Sequence, residues 1–359
     1  MLRVVGWDIG SGGYVAGLNS VGWVCCVDRG DDRGETSVCT EGEMRLDDIG
    51  FYTLSDERAK TASASTSLQR CELILTDVCN FHCPYCRGIV PKYSGTLSYT
   101  EAYNTVTLWI AEGLKNIRFS GGEPTLYPRL LDLCQYCNDN GVDRIAISTN
   151  GSASIDVYQG LITAGVTDFS VSLDACCAST ADIMAGTKGV YDRVLDNIRF
   201  LSSRVYTTVG VVLTERNAKE IQEIINTATE LGVSDIRIIS SAQWNAPVSL
   251  NQTHTKYPIL KYRTENNIQG RNMRGIQDSD TTGCPLVLDD MVIAAGFHFP
   301  CIIYFREGGR PIGNVGRGMR DDRAYWFENH NTHEDVICRK NCLDVCVDYN
   351  NKWAEYHAA

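Results

Sequence analysis

Six short runs dominated by apolar and β-branched residues punctuate the middle of the chain: Glu72–Leu75, Ile117–Phe119, Arg144–Ser148, Asp168–Leu173, Tyr206–Leu213 and Ile236–Ile239. Their length and composition predict strands. Between them, Thr100–Gly113, Tyr127–Asn140, Ile155–Ala164, Val190–Leu201 and Ala218–Leu231 carry apolar residues at the three-and-four spacing of an amphipathic helix. Gly141, Gly165 and Gly232 stand where a helix C-terminus favours a left-handed residue. Strands alternating with helices predict parallel βα units, because a parallel connection needs a crossover long enough to hold a helix. The expected fold class is α/β, with a parallel sheet or partial barrel.

The texture changes on either side of this block. Residues 1–70 are rich in Gly, Asp, Ser and Thr with short apolar runs, and read as a strand-rich extension ending in a Ser/Thr/Ala linker near Thr61–Ser67. After Ser241 the alternation stops. Residues 242–283 read as a polar, irregular bridge, and residues 284–359 as a separate cysteine-rich unit. The alternating block itself spans 71–241.

With 359 residues, 43% of them hydrophobic, the chain has material for a full core and is not a disordered protein. No apolar run approaches the roughly 18 residues of a membrane helix. The N-terminus lacks the basic, apolar and small-residue succession of a secretion signal. A cytoplasmic protein with no membrane partner is expected. A net charge of −11 argues against a surface that grips nucleic acid throughout. Sixteen cysteines are many for a reducing compartment, where clustered thiols are metal ligands or redox groups more often than disulfides.

The first cluster follows the first predicted strand: Thr76-Asp-Val-Cys79-Asn-Phe-His-Cys83-Pro-Tyr-Cys86. Three thiolates on one loop can converge on a soft metal centre. Zinc would want a fourth ligand to close its tetrahedron; no fourth cysteine stands at that spacing, and His82 is an awkward substitute. A [4Fe–4S] cluster on three thiolates leaves one iron open. Loops at the C-terminal ends of parallel strands are also where α/β folds bind ligands. Gly121-Gly-Glu-Pro124 follows the second strand, Ser148-Thr-Asn-Gly151 ends the third, and Val171-Ser-Leu-Asp174 ends the fourth.

In this order the motifs resemble those of the radical S-adenosylmethionine (SAM) superfamily, whose signature is C-x3-C-x2-C with an aromatic residue, here Tyr85, before the last cysteine. The resemblance implies a (βα)6 partial TIM barrel in which Cys79, Cys83 and Cys86 hold a [4Fe–4S] cluster. SAM chelates the open iron and is cleaved reductively to a 5′-deoxyadenosyl radical that abstracts a substrate hydrogen. It further implies that Gly121, Gly122, Glu123, Ser148, Asn150 and Asp174 position SAM, with Glu123 placing negative charge near its ammonium. The family's Arg-Gly pair is replaced by Met184-Ala-Gly-Thr-Lys188, which makes Lys188 the candidate for the SAM carboxylate. A reducing partner such as flavodoxin or ferredoxin is implied as well.

Downstream, Cys284, Gly296, Cys301, Ile312-Gly-Asn and then Cys338, Cys342 and Cys346 resemble the small auxiliary-cluster domain, of SPASM or shortened twitch type, found in part of that superfamily. Five cysteines with x3-x3 spacing fit one auxiliary [4Fe–4S] cluster better than two, and a zinc ribbon is the alternative. Cys338, Cys342 and Cys346 would share one face of a continuous helix.

Other residues are weighed individually. Cys134 and Cys137 fall in a helical stretch and read as buried free thiols; Cys176 and Cys177 follow the fourth strand, and Cys176 is a candidate hydrogen-atom donor, with loop packing as the alternative. His298, His330 and His333 read as packing residues, and Gly308–Gly318 as a turn. Across His254–Arg274, Lys256, Lys261, Arg263, Arg271 and Arg274 face one acid, Glu265, with Tyr257 and Tyr262 interleaved; this composition suits nucleic acid, or a solvated linker. The extension with Gly50-Phe-Tyr-Thr-Leu-Ser-Asp56 resembles phage-encoded radical SAM proteins of DNA hypermodification, which implies isomerisation of a glycinyl-modified thymidine in a host cytoplasm. A peptide-modifying maturase and a non-catalytic iron–sulfur sensor are the competing classes.

Overall fold

The computed structural model describes residues 15–19, 22–26, 54–87, 93–244, 250 and 256–358. The chain divides at Met44/Arg45 into two compact units. In the first, β1 (Val15–Asn19) and β2 (Gly22–Cys26) pair antiparallel, Val15 opposite Cys26. The Gly50–Thr53 stretch and His254 lie outside the described residues.

The second unit is built on one nine-stranded sheet. Strands β3 (Arg70–Thr76), β4 (Asn116–Gly121), β5 (Arg144–Thr149), β6 (Asp168–Ser172), β7 (Tyr206–Leu213) and β8 (Asp235–Ser240) lie side by side in chain order, all parallel. This is the expected (βα)6 arrangement. Helices Tyr99–Ala111, Leu130–Asp139, Ile155–Thr163, Tyr191–Ser202 and Ile221–Glu230 fill the crossovers. The first is closed by a capping box, Ser98 accepting from the Glu101 N–H at 3.2 Å while the Glu101 carboxylate accepts from the Ser98 N–H at 2.8 Å.

The side-chain alternation of these strands decides where the core lies. Leu73, Leu75, Ile117, Phe119, Ile145, Ile147, Phe169, Val171, Val209, Val211, Ile236 and Ile238 belong to one buried cluster that also contains Trp109, Leu133, Tyr158 and Ile198 from the helices. The intervening positions, Glu72, Arg118, Ser120, Ser148, Ser170, Gly210 and Arg237, line the other face. A strand face of Ser, Arg and Glu is a poor core and a good binding surface.

The cysteine-rich segment is not a separate body. Its first strand, β9 (Asp290–Ala294), joins β3 in parallel, and β10 (Phe297–Phe299) and β11 (Gly313–Asn314) continue the sheet antiparallel. Ala295 and Gly296, with φ of 49° and 81°, form the two-residue turn between β9 and β10, which explains the glycine between Cys284 and Cys301. Residues 54–70, expected in the extension, also belong here. Helix Asp56–Thr61 is capped by Ser55, and its buried Arg58 pairs with Asp289 and Asp290, while Arg70 pairs with Asp290. Arg323, wholly buried, donates to the carbonyls of Val287 (2.7 Å), Phe299 (2.8 Å), Asp290 and Pro300 (3.1 Å).

The basic bridge departs furthest from the expected irregular segment. Residues Pro258–Ile268 form a helix whose polar residues Arg263, Thr264 and Asn266 are buried. Arg263 pairs with Asp344 at 2.5 Å, each side chain 1% exposed; Arg271 pairs with Asp348; Arg274 donates to the Ser240 carbonyl at 2.7 Å. Inward-facing arginines hide the helical period and imitate a basic patch. Three of the five cations of that stretch, expected to face nucleic acid or solvent, hold the Asp344–His357 helix and β8 instead.

Removing one partner of the Arg263–Asp344 pair strands a buried charge. Asp344→Asn is expected to lower the unfolding free energy by about 3–5 kcal/mol in chemical denaturation, and Arg263→Met with Asp344→Leu to recover much of it.

Candidate functional site

The site begins with the loop after β3. The Thr76 side chain accepts from the Val78 N–H at 3.1 Å and turns the chain out of the sheet. The Cys86 N–H then bonds the Cys83 carbonyl at 3.0 Å, and the His82 N–H bonds the Ala185 carbonyl at 2.8 Å. Gly186 sits against this loop with φ of 59°, and a Cβ there would lie 2.2 Å from the His82 carbonyl oxygen. Cys79, Cys83 and Cys86, none of them in a disulfide, line one cavity of about 220 Å³, together with Gly121, Gly122, Ser148, Asn150 and Asp174.

The glycines of the second motif serve close approach. The Gly122 N–H donates to Thr76 O at 2.7 Å and the Glu123 N–H to Val78 O at 2.8 Å. A Cβ at Gly121 would lie 2.3 Å from Thr76 O, and one at Gly122 would lie 2.3 Å from Val78 O. The loop after β4 is thus pressed against the backbone that leads into Cys79.

Glu123 departs from its expected role. It is fully buried, and its carboxylate accepts from the Thr125 N–H (3.1 Å), the Thr125 hydroxyl (2.7 Å), the Thr149 hydroxyl (2.7 Å) and the Asn150 N–H (2.7 Å). Burial pushes its pKa up while these donors pull it down. The carboxylate is a tie between strand ends, not a group lining the cavity. Asn150, held by it, donates to Asn80 Oδ1 at 2.8 Å and lies 3.8 Å from Cys79 Sγ.

Asp174 lines the cavity and accepts from the Tyr85 hydroxyl and, at 2.6 Å, from the Val212 N–H. Burial raises its pKa to about 6 against the pull of those bonds. Tyr85 therefore connects the cysteine loop to the end of β6. Two other expectations fail. Lys188 is exposed and does not line the cavity, because the Ala178–Ala185 helix carries the chain away before it. Cys176 does not line it either; its thiol donates to Glu220 at 3.3 Å. The cations that do line the cavity are Arg237 and Arg306, which sequence reasoning missed. Strand parity marked Arg237; nothing local marked Arg306.

Cys284, Cys301, Cys338, Cys342 and Cys346 all line a second cavity, of about 180 Å³. The last three are not on one helix: Val336–Asn341 ends at Cys342, and Asp344–His357 starts a new one. Cys338 Sγ also lies 3.8 Å from His330 Nε2. Ser148, Arg237, Ile239 and Arg306 line both cavities, so the two cysteine sites meet at two guanidinium groups. Cys134 and Cys137 are buried in their helix, as expected.

The donor sets fit iron–sulfur clusters. Burial raises Cys79, takes Cys83 and Cys284 to about 12 and Cys346 to about 11, and neighbouring thiolates push the same way. Without a cation such thiols stay protonated; a metal centre is what stabilises several of them ionised together.

Parallel βα units with three cysteines after the first strand and glycines packed beneath them form a candidate strand-end site of the α/β barrel class. Residues 73–228 match the model of the radical SAM superfamily. Enzymes of that superfamily use a [4Fe–4S] cluster and SAM and draw on an external reductant. The AdoMet-dependent heme synthase of Methanosarcina barkeri is 32% identical over 164 residues, 44% of this chain and 46% of that protein. The probable GTP 3′,8-cyclase of Metallosphaera sedula is 28% identical over 184 residues, 48% and 55% respectively. The chain spans about half the length of these curated relatives. Among solved structures, Streptococcus suis SuiB matches with a TM-score of 0.53 at 15% identity over 74% of this chain and 66% of that one. The structure of anSMEcpe with bound AdoMet matches with 0.52 at 14% identity, over 80% and 96%. At such identities the likeness is one of fold. Among the described residues, no helix is long and apolar enough to cross a membrane.

Glu123→Gln places an amide where four donors converge, leaving at least one buried N–H or hydroxyl without an acceptor. It should cost about 1–3 kcal/mol of stability and weaken SAM binding, whereas Lys188→Ala should leave SAM affinity unchanged; titration calorimetry on reconstituted protein reads both.

Proposed function

We propose that this chain is a radical SAM enzyme in which Cys79, Cys83 and Cys86 hold the SAM-binding [4Fe–4S] cluster and Gly121, Gly122, Ser148, Asn150 and Asp174 form the wall against SAM. When bound, that cluster supplies the electron that cleaves SAM to a 5′-deoxyadenosyl radical able to take hydrogen from an unactivated carbon. The observation that carries this reading is the convergence of three cysteines and the three later strand ends on one cavity. The chain's own residues bind and orient: Gly121 and Gly122 let the backbone approach, Tyr85 fixes Asp174, and Glu123 holds Asn150 in place. Walling off water protects a reactive radical from side reactions. Cys284 and Cys301, with two of Cys338, Cys342 and Cys346, would hold an auxiliary [4Fe–4S] cluster in the adjoining cavity.

The substrate's reacting carbon belongs where the two cavities meet, beside Ser148, Arg237, Ile239 and Arg306. Two guanidinium groups there suit a substrate with a carboxylate or phosphate. A glycinyl-modified thymidine offers such a carboxylate, and its isomerisation is the finer reading, resting on the resemblance of the extension. The 254–274 segment adds nothing to it, because its arginines are engaged in ion pairs and backbone bonds.

Anaerobically reconstituted protein given dithionite and SAM is expected to form 5′-deoxyadenosine, and Cys79→Ala, Cys83→Ala or Cys86→Ala to bring it to background. Wild-type protein with full iron content and no 5′-deoxyadenosine would overturn the enzyme reading. Supplying glycinyl-thymidine DNA or an acidic peptide, and looking for product by mass spectrometry, separates the substrate classes.

A further inference from the structure

Outside both cysteine cavities, a third group of metal-ligating side chains is assembled on the rim of the sheet. Cys176 and Cys177 follow β6, and Glu220 closes the 3₁₀ turn Ala218–Glu220 ahead of the Ile221–Glu230 helix. One ligand atom from each lies within 4.8 Å of the other two, and all three residues are half-buried. We infer that Cys176, Cys177 and Glu220 form a binding site for a thiophilic divalent cation, zinc being the best match, separate from the iron–sulfur sites.

The local geometry supports this on three counts. Two thiolates, one carboxylate oxygen and one water make a four-coordinate zinc shell; ligand atoms around a tetrahedral zinc sit roughly 3.5–3.8 Å apart, so contraction of about an ångström closes the site. The ligands are already oriented: the Cys176 thiol donates to Glu220 Oε2 at 3.3 Å, the Thr180 hydroxyl donates to Glu220 Oε1 at 2.7 Å, and Cys177 Sγ lies 3.2 Å from Ser179 Oγ and 3.6 Å from Thr180 Oγ1. Finally, the backbone beneath is held. The Tyr191 hydroxyl donates to the Cys176 carbonyl, and the Asn217 amide donates to the carbonyls of Asp174 (2.9 Å) and Val212 (3.0 Å).

The ionisation states suit the same ligand. Hydrogen bonds from Ser179 and Thr180 bring Cys177 down to about 7, whereas Cys176 is raised to about 12 by burial and by Glu220. Cys177 is thus the more easily ionised of the two thiols, and zinc binding releases the remaining thiol protons to solvent with no change of oxidation state. Cys134 and Cys137, by contrast, are buried in the apolar core. An occupied site would clamp the segment just after Asp174 to the turn that follows Asn217, bracing the carboxylate that faces the SAM cavity.

The test uses cluster-reconstituted full-length protein, equilibrated anaerobically with buffered micromolar zinc and then gel-filtered. Wild-type protein is expected to retain one zinc per chain at full iron content, with a zinc K-edge absorption spectrum of two sulfurs and two lighter ligands. Cys177→Ser and Glu220→Gln should lose that zinc with iron unchanged, and Thr180→Val, which removes a bond to Glu220, should weaken it roughly 10–100-fold. Glu220→Gln, at a half-buried surface position, keeps the test valid should the cysteine variant fail to fold. No retained zinc, a shell of three or four sulfurs, or equal retention by the folded variants would overturn the site. Iron content and SAM cleavage are read independently, so failure here is distinct from failure of the radical SAM reading.

Discussion

Everything at the site depends on backbone touching backbone at the ends of β3 and β4. The N–H groups of Gly122 and Glu123 bond the carbonyls of Thr76 and Val78 at 2.7 and 2.8 Å, and neither glycine could carry a Cβ without overlapping those same carbonyls. That contact fixes where the chain leaves β3, and therefore where Cys79 begins its loop. Glu123 extends it to a third strand end through Thr149 and Asn150. A buried carboxylate is costly unless its oxygens are met by donors, and here four meet it. The motif that the family resemblance links to SAM contacts is, in its acidic residue, a brace for the surface that SAM would touch.

A second set of buried polar contacts joins the cysteine-rich segment to the barrel. Arg323 collects four carbonyls around β9 and β10, Arg58 and Arg70 meet Asp289 and Asp290, and Arg263 meets Asp344. With β9 extending the sheet beside β3, the two cysteine cavities become neighbours in one rigid frame and share Arg237 and Arg306. Radical chemistry on an unactivated carbon needs a substrate held still between cofactor and wall, and in the proposed reading the shared, positively charged junction would be that seat.

Much of this was legible in the sequence because it was written in local period and spacing. The alternation of strands and helices, the strand-end motifs and the inert Cys134–Cys137 pair follow from residues within a few positions of one another. What was hidden is long-range. β9 joins β3 although some 220 residues separate Arg70 from Asp290, and no local signal announces that pairing. Arg263, Arg271 and Arg274 read as an exposed basic stretch because their acidic and carbonyl partners lie far along the chain or across the fold. Lys188 was placed by motif position, but the helix before it carries it out to solvent; Cys176 was placed by strand end, but its thiol turns to Glu220. Arg306 owes its position to the short helix Ile302–Arg306, anchored after β10.

The central claim, that the loop after β3 holds an iron–sulfur cluster with a vacant corner, is tested most directly by Mössbauer spectroscopy of anaerobically isolated, iron-57-labelled protein. The account predicts about eight irons per chain in cubane clusters, one iron site of which changes its isomer shift when SAM is added, and loss of about four irons in the Cys79/Cys83/Cys86 triple alanine variant. Iron content unaltered by that variant, or zinc in place of iron in the wild-type loop, would contradict it.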